Sequence, residues 1–98
     1  MIEHIKPIQE FLTEIENSSP SLIAGSPAES FNKVTVLLEK AITLKDYYES
    51  EYLIALNEIV KDISVAQSRY DFYAIFDLIN IKLTYILKNA TLKVNSKI

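Results

Sequence analysis

The chain has 98 residues, a net charge of −3, six tyrosines, four phenylalanines, one glycine and no cysteine. That length fills one domain with one modest core, and without cysteine neither disulfides nor thiolate metal sites can form. The acidic balance weighs against nucleic acid as main partner, and no apolar run approaches the roughly 20 residues that a bilayer span needs.

The predicted elements are all helical. The first covers about residues 2–16, with Ile5, Ile8, Leu12 and Ile15 as its apolar stripe and Phe11 widening it. Pro7 lacks a backbone donor, so it belongs in the first turn or marks a kink. Asn17-Ser18-Ser19-Pro20 is a breaker cluster and should end the helix. Ser18 to Ser26 then reads as a connector, with Leu22 and Ile23 tucked against the fold.

The second helix has the clearest start. Ser26, Pro27 and Glu29 make a capping box with proline at the first helical position. It should run over about 27–48, with Phe31, Val34, Leu38, Ala41 and Ile42 inward and Leu37 and Leu44 broadening the stripe. A turn is expected at Glu49-Ser50-Glu51, although no Gly or Pro marks it and a continuous helix is the alternative. The third helix covers about 51–67. Leu53, Leu56, Val60 and Ile63 form its stripe, Ile59 and Ala66 extend it, and Glu58, Lys61 and Asp62 face water.

Ser68-Arg69-Tyr70-Asp71 reads as a second capping box, opening a helix over about 69–94. Phe72, Ile75, Phe76, Ile79, Leu83, Ile86, Ala90 and Val94 recur at spacings of three and four, the mark of an amphipathic helix. Four helices with short connections predict an all-α, antiparallel up-down four-helix bundle, or a three-helix core with the N-terminal helix packed across it.

Reaction chemistry is thin. His4 is the only histidine, and it lacks a nearby nucleophile or acid in sequence. Glu10 and Glu14 share a face without the Glu-x-x-His pairs of di-iron bundles. Carboxylates such as Glu58 and Asp62 at helical spacing are most simply surface charges. We expect no enzyme activity, no cofactor and no metal. The N-terminal Glu3, His4, Lys6 and Glu10 do not follow the layout of a signal peptide, so the cytoplasm is the expected compartment.

Two features point towards binding. Tyrosines and phenylalanines cluster at the second turn (Tyr47, Tyr48, Tyr52) and the third (Tyr70, Phe72, Tyr73, Phe76). Tyrosine caps the ends of a core with its hydroxyl wet, and it is also enriched in docking surfaces. The last helix is also apolar beyond its core stripe: Leu78, Tyr85 and Leu92 recur at spacings of seven, with Ile81 nearby and Leu87 between the stripes. A helix apolar over most of its circumference is central in its fold or covered by a partner. Tyr73, Leu78, Ile81, Tyr85 and Leu92 are therefore the candidate anchors for an amphipathic helix of a partner protein or for a second copy of the chain. After Asp77 there is no acidic residue, while Lys82, Lys88, Lys93 and Lys97 follow. They suit a helix C-terminus, and Lys82 and Lys88 are candidates for steering an acidic partner.

The segment Asp46-Tyr47-Tyr48-Glu49-Ser50-Glu51-Tyr52-Leu53-Ile54-Ala55-Leu56-Asn57-Glu58-Ile59, followed by the helix bearing Asp77-Leu78, resembles small uncharacterised helical-bundle proteins of low-G+C bacteria. These are similar in turn to the chaperones of flagellar export. The resemblance covers about half the chain and transfers no catalytic motif. It implies a cytoplasmic bundle that grips an amphipathic helix of a client. An immunity-type or structural homo-oligomeric helical protein is the alternative expectation.

Overall fold

The structure, a computed structural model, describes residues 5–93. Its helices are α1 (Lys6–Ala24), α2 (Pro27–Thr43), α3 (Glu51–Ser68) and a last helix built of α4 (Phe72–Asp77), a π-helical stretch (Leu78–Leu83) and α5 (Thr84–Asn89). A 3-10 turn, Leu44–Tyr47, follows α2. The protein is all-α, as its periodicity predicts. Helix α1 packs against α2 and the last helix, and α3 packs along the last helix and against α2. No helix among the described residues is long and apolar enough to cross a membrane. His4, Val94 and the rest of 1–4 and 94–98 lie outside the described residues.

Pro7 sits in the first turn of α1, where its missing N–H costs nothing. The helix does not stop at residues 17–20. It runs through Pro20 to Ala24, because Ile8, Phe11, Ile15, Ser19 and Leu22 make one unbroken buried stripe. Burying Leu22 outweighs the lost backbone bond at Pro20. The local polar groups are also satisfied: Ser19 Oγ donates to the Ile15 carbonyl at 2.8 Å, with Asn80 Oδ1 at 3.1 Å. At the helix end, the Ser30 hydroxyl donates to the Leu22 carbonyl at 2.9 Å, and the Gly25 amide donates to Ser21. A Cβ on Gly25 would lie 3.0 Å from that Ser21 oxygen, so a side chain there would crowd the turn.

Ser26 opens α2 as the sequence predicts. Its side chain accepts from the Glu29 amide at 3.2 Å, and Glu29 Oε1 accepts from the Ser26 amide at 3.0 Å. Ser26→Ala should cost about 1 kcal/mol, read as a shift in denaturant midpoint with unchanged slope. No measurable shift would mean that the box is not formed in solution.

In α3 the buried face is Tyr52, Leu56, Ile59, Ile63 and Ala66, rotated from the expected one, with Leu53 and Val60 only half-buried. Tyr48 and Tyr52 are fully buried and stacked, with ring centroids 4.1 Å apart. Their hydroxyls are not wet. Tyr48 donates to the Leu87 carbonyl at 2.7 Å and Tyr52 to the Ala41 carbonyl at 2.6 Å. Burial pushes both pKa values well above the usual tyrosine range, and the neighbouring Tyr48 adds to the shift of Tyr52.

Ser68 does not cap the last helix. It is the final residue of α3, and Asp71 caps instead, accepting from the Ala74 amide at 3.1 Å. Between them the Asp71 amide donates to Ala66 and the Tyr70 amide to Gln67, a Schellman ending with Tyr70 in the left-handed position at φ 54°. Glycine is usual there. Ring contacts of Tyr70 with Phe31 and Phe72, at 5.8 and 6.2 Å between centroids, hold it in place.

The last helix departs furthest from expectation. Its core residues are Ile75, Ile79, Leu83 and Leu87, all fully buried. Each step is four residues. At 3.6 residues per turn, four residues over-rotate by about 40°, so such a stripe would wind off the core of an α-helix. The π-helical stretch, with its wider turn, absorbs the drift. Past it, Leu87 takes the inward position and Ile86 is half-buried. The helix ends at Asn89 rather than 94, because the Glu49 amide donates to Thr91 at 2.8 Å and the Lys93 amide to Tyr47 at 3.0 Å. Tyr48 and Leu92 thus form an isolated antiparallel bridge.

Candidate functional site

Helices α3 and α4 are joined by only three residues, 69–71, and lie side by side. The core takes one face of each, and a groove remains along the outside of the seam. Its wider half, about 440 Å³, is lined by Ala55, Glu58, Ile59 and Asp62 from α3 and by Ile81, Lys82, Tyr85 and Ile86 from the last helix. The floor is apolar: Ile59 belongs to the buried core, and Ile86 packs against it. Ile81 and Tyr85 stand at the rim, 59% and 66% exposed. The groove continues past Asp62 to Val65, Arg69, Asp71, Asp77 and Leu78.

Of the candidate anchors, the structure brings Leu78, Ile81, Lys82 and Tyr85 to this groove. The others lie elsewhere. Tyr73 is 71% exposed but does not line the groove. Leu92 is not on the helix at all. It sits half-buried in the extended segment that bridges Tyr48, so the Leu78–Tyr85–Leu92 repeat is not a helical stripe. Leu87, expected between the stripes, is core. Lys88 lines a polar hollow on the other side, between α1 and the last helix, with Gln9, Glu16, Asn80 and Thr84.

Sequence reasoning missed the α3 wall. Ala55, Glu58 and Asp62 repeat at three and four residues, the signal of a shared face, but two acids in that row read as a solvated surface. No group of three or more His, Cys, Asp or Glu that could hold a metal is found among the described residues. Comparison of the chain with known protein families, curated proteins and solved structures found no match.

Proposed function

We propose that this protein is a non-enzymatic binding module, an adaptor or chaperone-like bundle that buries an amphipathic helix of a partner protein in the groove between α3 and the last helix. One observation carries the reading: the half-buried Ile86, beside the core residue Ile59, floors a groove whose last-helix rim bears the exposed Ile81 and Tyr85. An amphipathic helix docks through anchors at i, i+3, i+4 and i+7 into such a trough. From Ala55 to Arg69 the wall made by α3 and its C-cap residue extends about 21 Å at about 1.5 Å per residue, room for about four helical turns. The expected resemblance to small helical-bundle proteins, themselves similar to flagellar-export chaperones, would imply the same role and a cytoplasmic setting. The reading calls for no cofactor.

The test is selection of helical peptides from a displayed library on the full chain. Selected peptides should carry an apolar stripe of helical spacing. They should bind Ile81→Ser/Tyr85→Ser at least about ten-fold more weakly, since anchors of this kind each contribute more than about 1 kcal/mol. Both positions are exposed, so the double variant keeps its helical circular dichroism. If no striped peptide is enriched, or if the double variant binds as well as the parent, the groove is not a helix site.

A further inference from the structure

Resting on the helix-docking reading above, we propose that the partner helix is basic, with lysine or arginine flanking its apolar stripe. The groove is lined by four carboxylates, Glu58, Asp62, Asp71 and Asp77, against two cations, Arg69 and Lys82. All six are exposed. Asp62 lies on both halves of the groove, so its charge sits near the middle of the trough. Asp71 also caps the last helix, its side chain accepting from the Ala74 amide. Lys61, outside the lining, stands 3.8 Å from Glu58 and offsets part of one acid. The remainder is still negative.

A docked helix would bring its flanking residues against these rims, within the roughly 8 Å over which charges interact at physiological salt. Acidic flanks would meet like charge and lose affinity, and basic flanks would gain it. The same count disfavours a second copy of this chain as occupant, because two such faces would bring their carboxylate excesses together. It also reverses the expectation of an acidic partner. Of the two lysines behind that expectation, Lys88 is on another face and Lys82 is outnumbered.

The experiment uses two synthetic peptides of about 18 residues with one identical leucine stripe, differing only in lysine or glutamate flanks. Binding to the full chain is read by fluorescence anisotropy. The lysine peptide should bind at least about ten-fold tighter in dilute buffer, with the gap closing as salt is raised. Glu58→Lys/Asp62→Lys, checked for unchanged helical content, should invert the order. The salt series on the parent protein gives the same answer without any variant. If both peptides bind equally and both are lost with Ile81→Ser/Tyr85→Ser, the basic partner is wrong and the helix groove stands. If neither binds, both readings fall. Self-association in sedimentation equilibrium that Ile81→Ser/Tyr85→Ser abolishes would assign the face to a second copy and overturn the proposal.

Discussion

Deleting Lys82 should leave the protein folded, whereas deleting Asn57 should unfold it. Both residues are exposed and helical, so surface position does not distinguish them. In an α-helix, removing one residue rotates everything beyond it by about 100°. In α3 that would force either Tyr52 and Leu56, or Ile59, Ile63 and Ala66, out of the core. Losing a buried large side chain costs about 2–5 kcal/mol, so two or three such losses match the whole stability of a domain, about 5–15 kcal/mol. The last helix already contains the extra residue that its π-helical stretch accommodates. Without Lys82, the core spacing of four, four and four between Ile75, Ile79, Leu83 and Leu87 becomes four, three and four, an α-helical stripe. The melting temperature of that variant should stay within about 8 °C of the parent, the equivalent of about 1 kcal/mol in a domain this size. Thermal melts by circular dichroism decide it. A loss of cooperativity as severe as that of the Asn57 deletion would show that the π-helical register is not what positions Leu87.

The stacked tyrosines set the second large effect. Tyr48→Ala empties a fully buried ring position and should cost about 3–5 kcal/mol, as other aromatic-to-alanine changes do. The phenylalanine variants separate packing from hydrogen bonding. Leu87 lies in the last turn of α5, and the chain turns extended at Ala90, so the Tyr48 hydroxyl is what satisfies its buried carbonyl. Tyr48→Phe should therefore cost about 1–3 kcal/mol for an orphaned acceptor. The Ala41 carbonyl accepts from the Leu44 amide as well as from Tyr52, so Tyr52→Phe should cost less. Denaturant titrations that rank the two equally would contradict this account.

The same pair fixes a pH response. Both hydroxyls hold their protons more tightly when folded than the ordinary tyrosine pKa of about 10, because burial penalises the anion. A raised folded pKa gives stability that is fully present below pH of about 10. It is lost above that, as the unfolded chain releases protons that the folded one keeps. Removing both hydroxyls should flatten this alkaline loss.

The α2 start was legible because Ser26, Pro27 and Glu29 act on local backbone groups alone. The all-α class was legible because apolar period is a property of each segment by itself. What escaped the sequence depends on distant partners. Ile86 and Leu87 are adjacent and similarly apolar, so either could continue the stripe, and only docking against Tyr48 and the rest of the core selects Leu87. Pro20 and its neighbours carry strong breaker signals, and they are overruled by Leu22 and by the Ser30 hydroxyl, eight residues away from its acceptor. Ala90 favours helix intrinsically, yet the bridge to Tyr48 draws the chain out of it. The groove was half legible. Ile81, Lys82 and Tyr85 stood out as surplus, but the carboxylate wall opposite looked like ordinary solvated surface until α3 was placed beside them.

The Tyr48–Leu92 bridge has a kinetic consequence. The amide of Glu49 sits in the turn between helices, where backbone hydrogens usually exchange with solvent quickly, yet it is bonded to Thr91. That one hydrogen is sheltered only while residues 90–93 lie across the turn. Its exchange lifetime is therefore a clock for the release of this segment, separable from the unfolding of the bundle that the amides of α3 report.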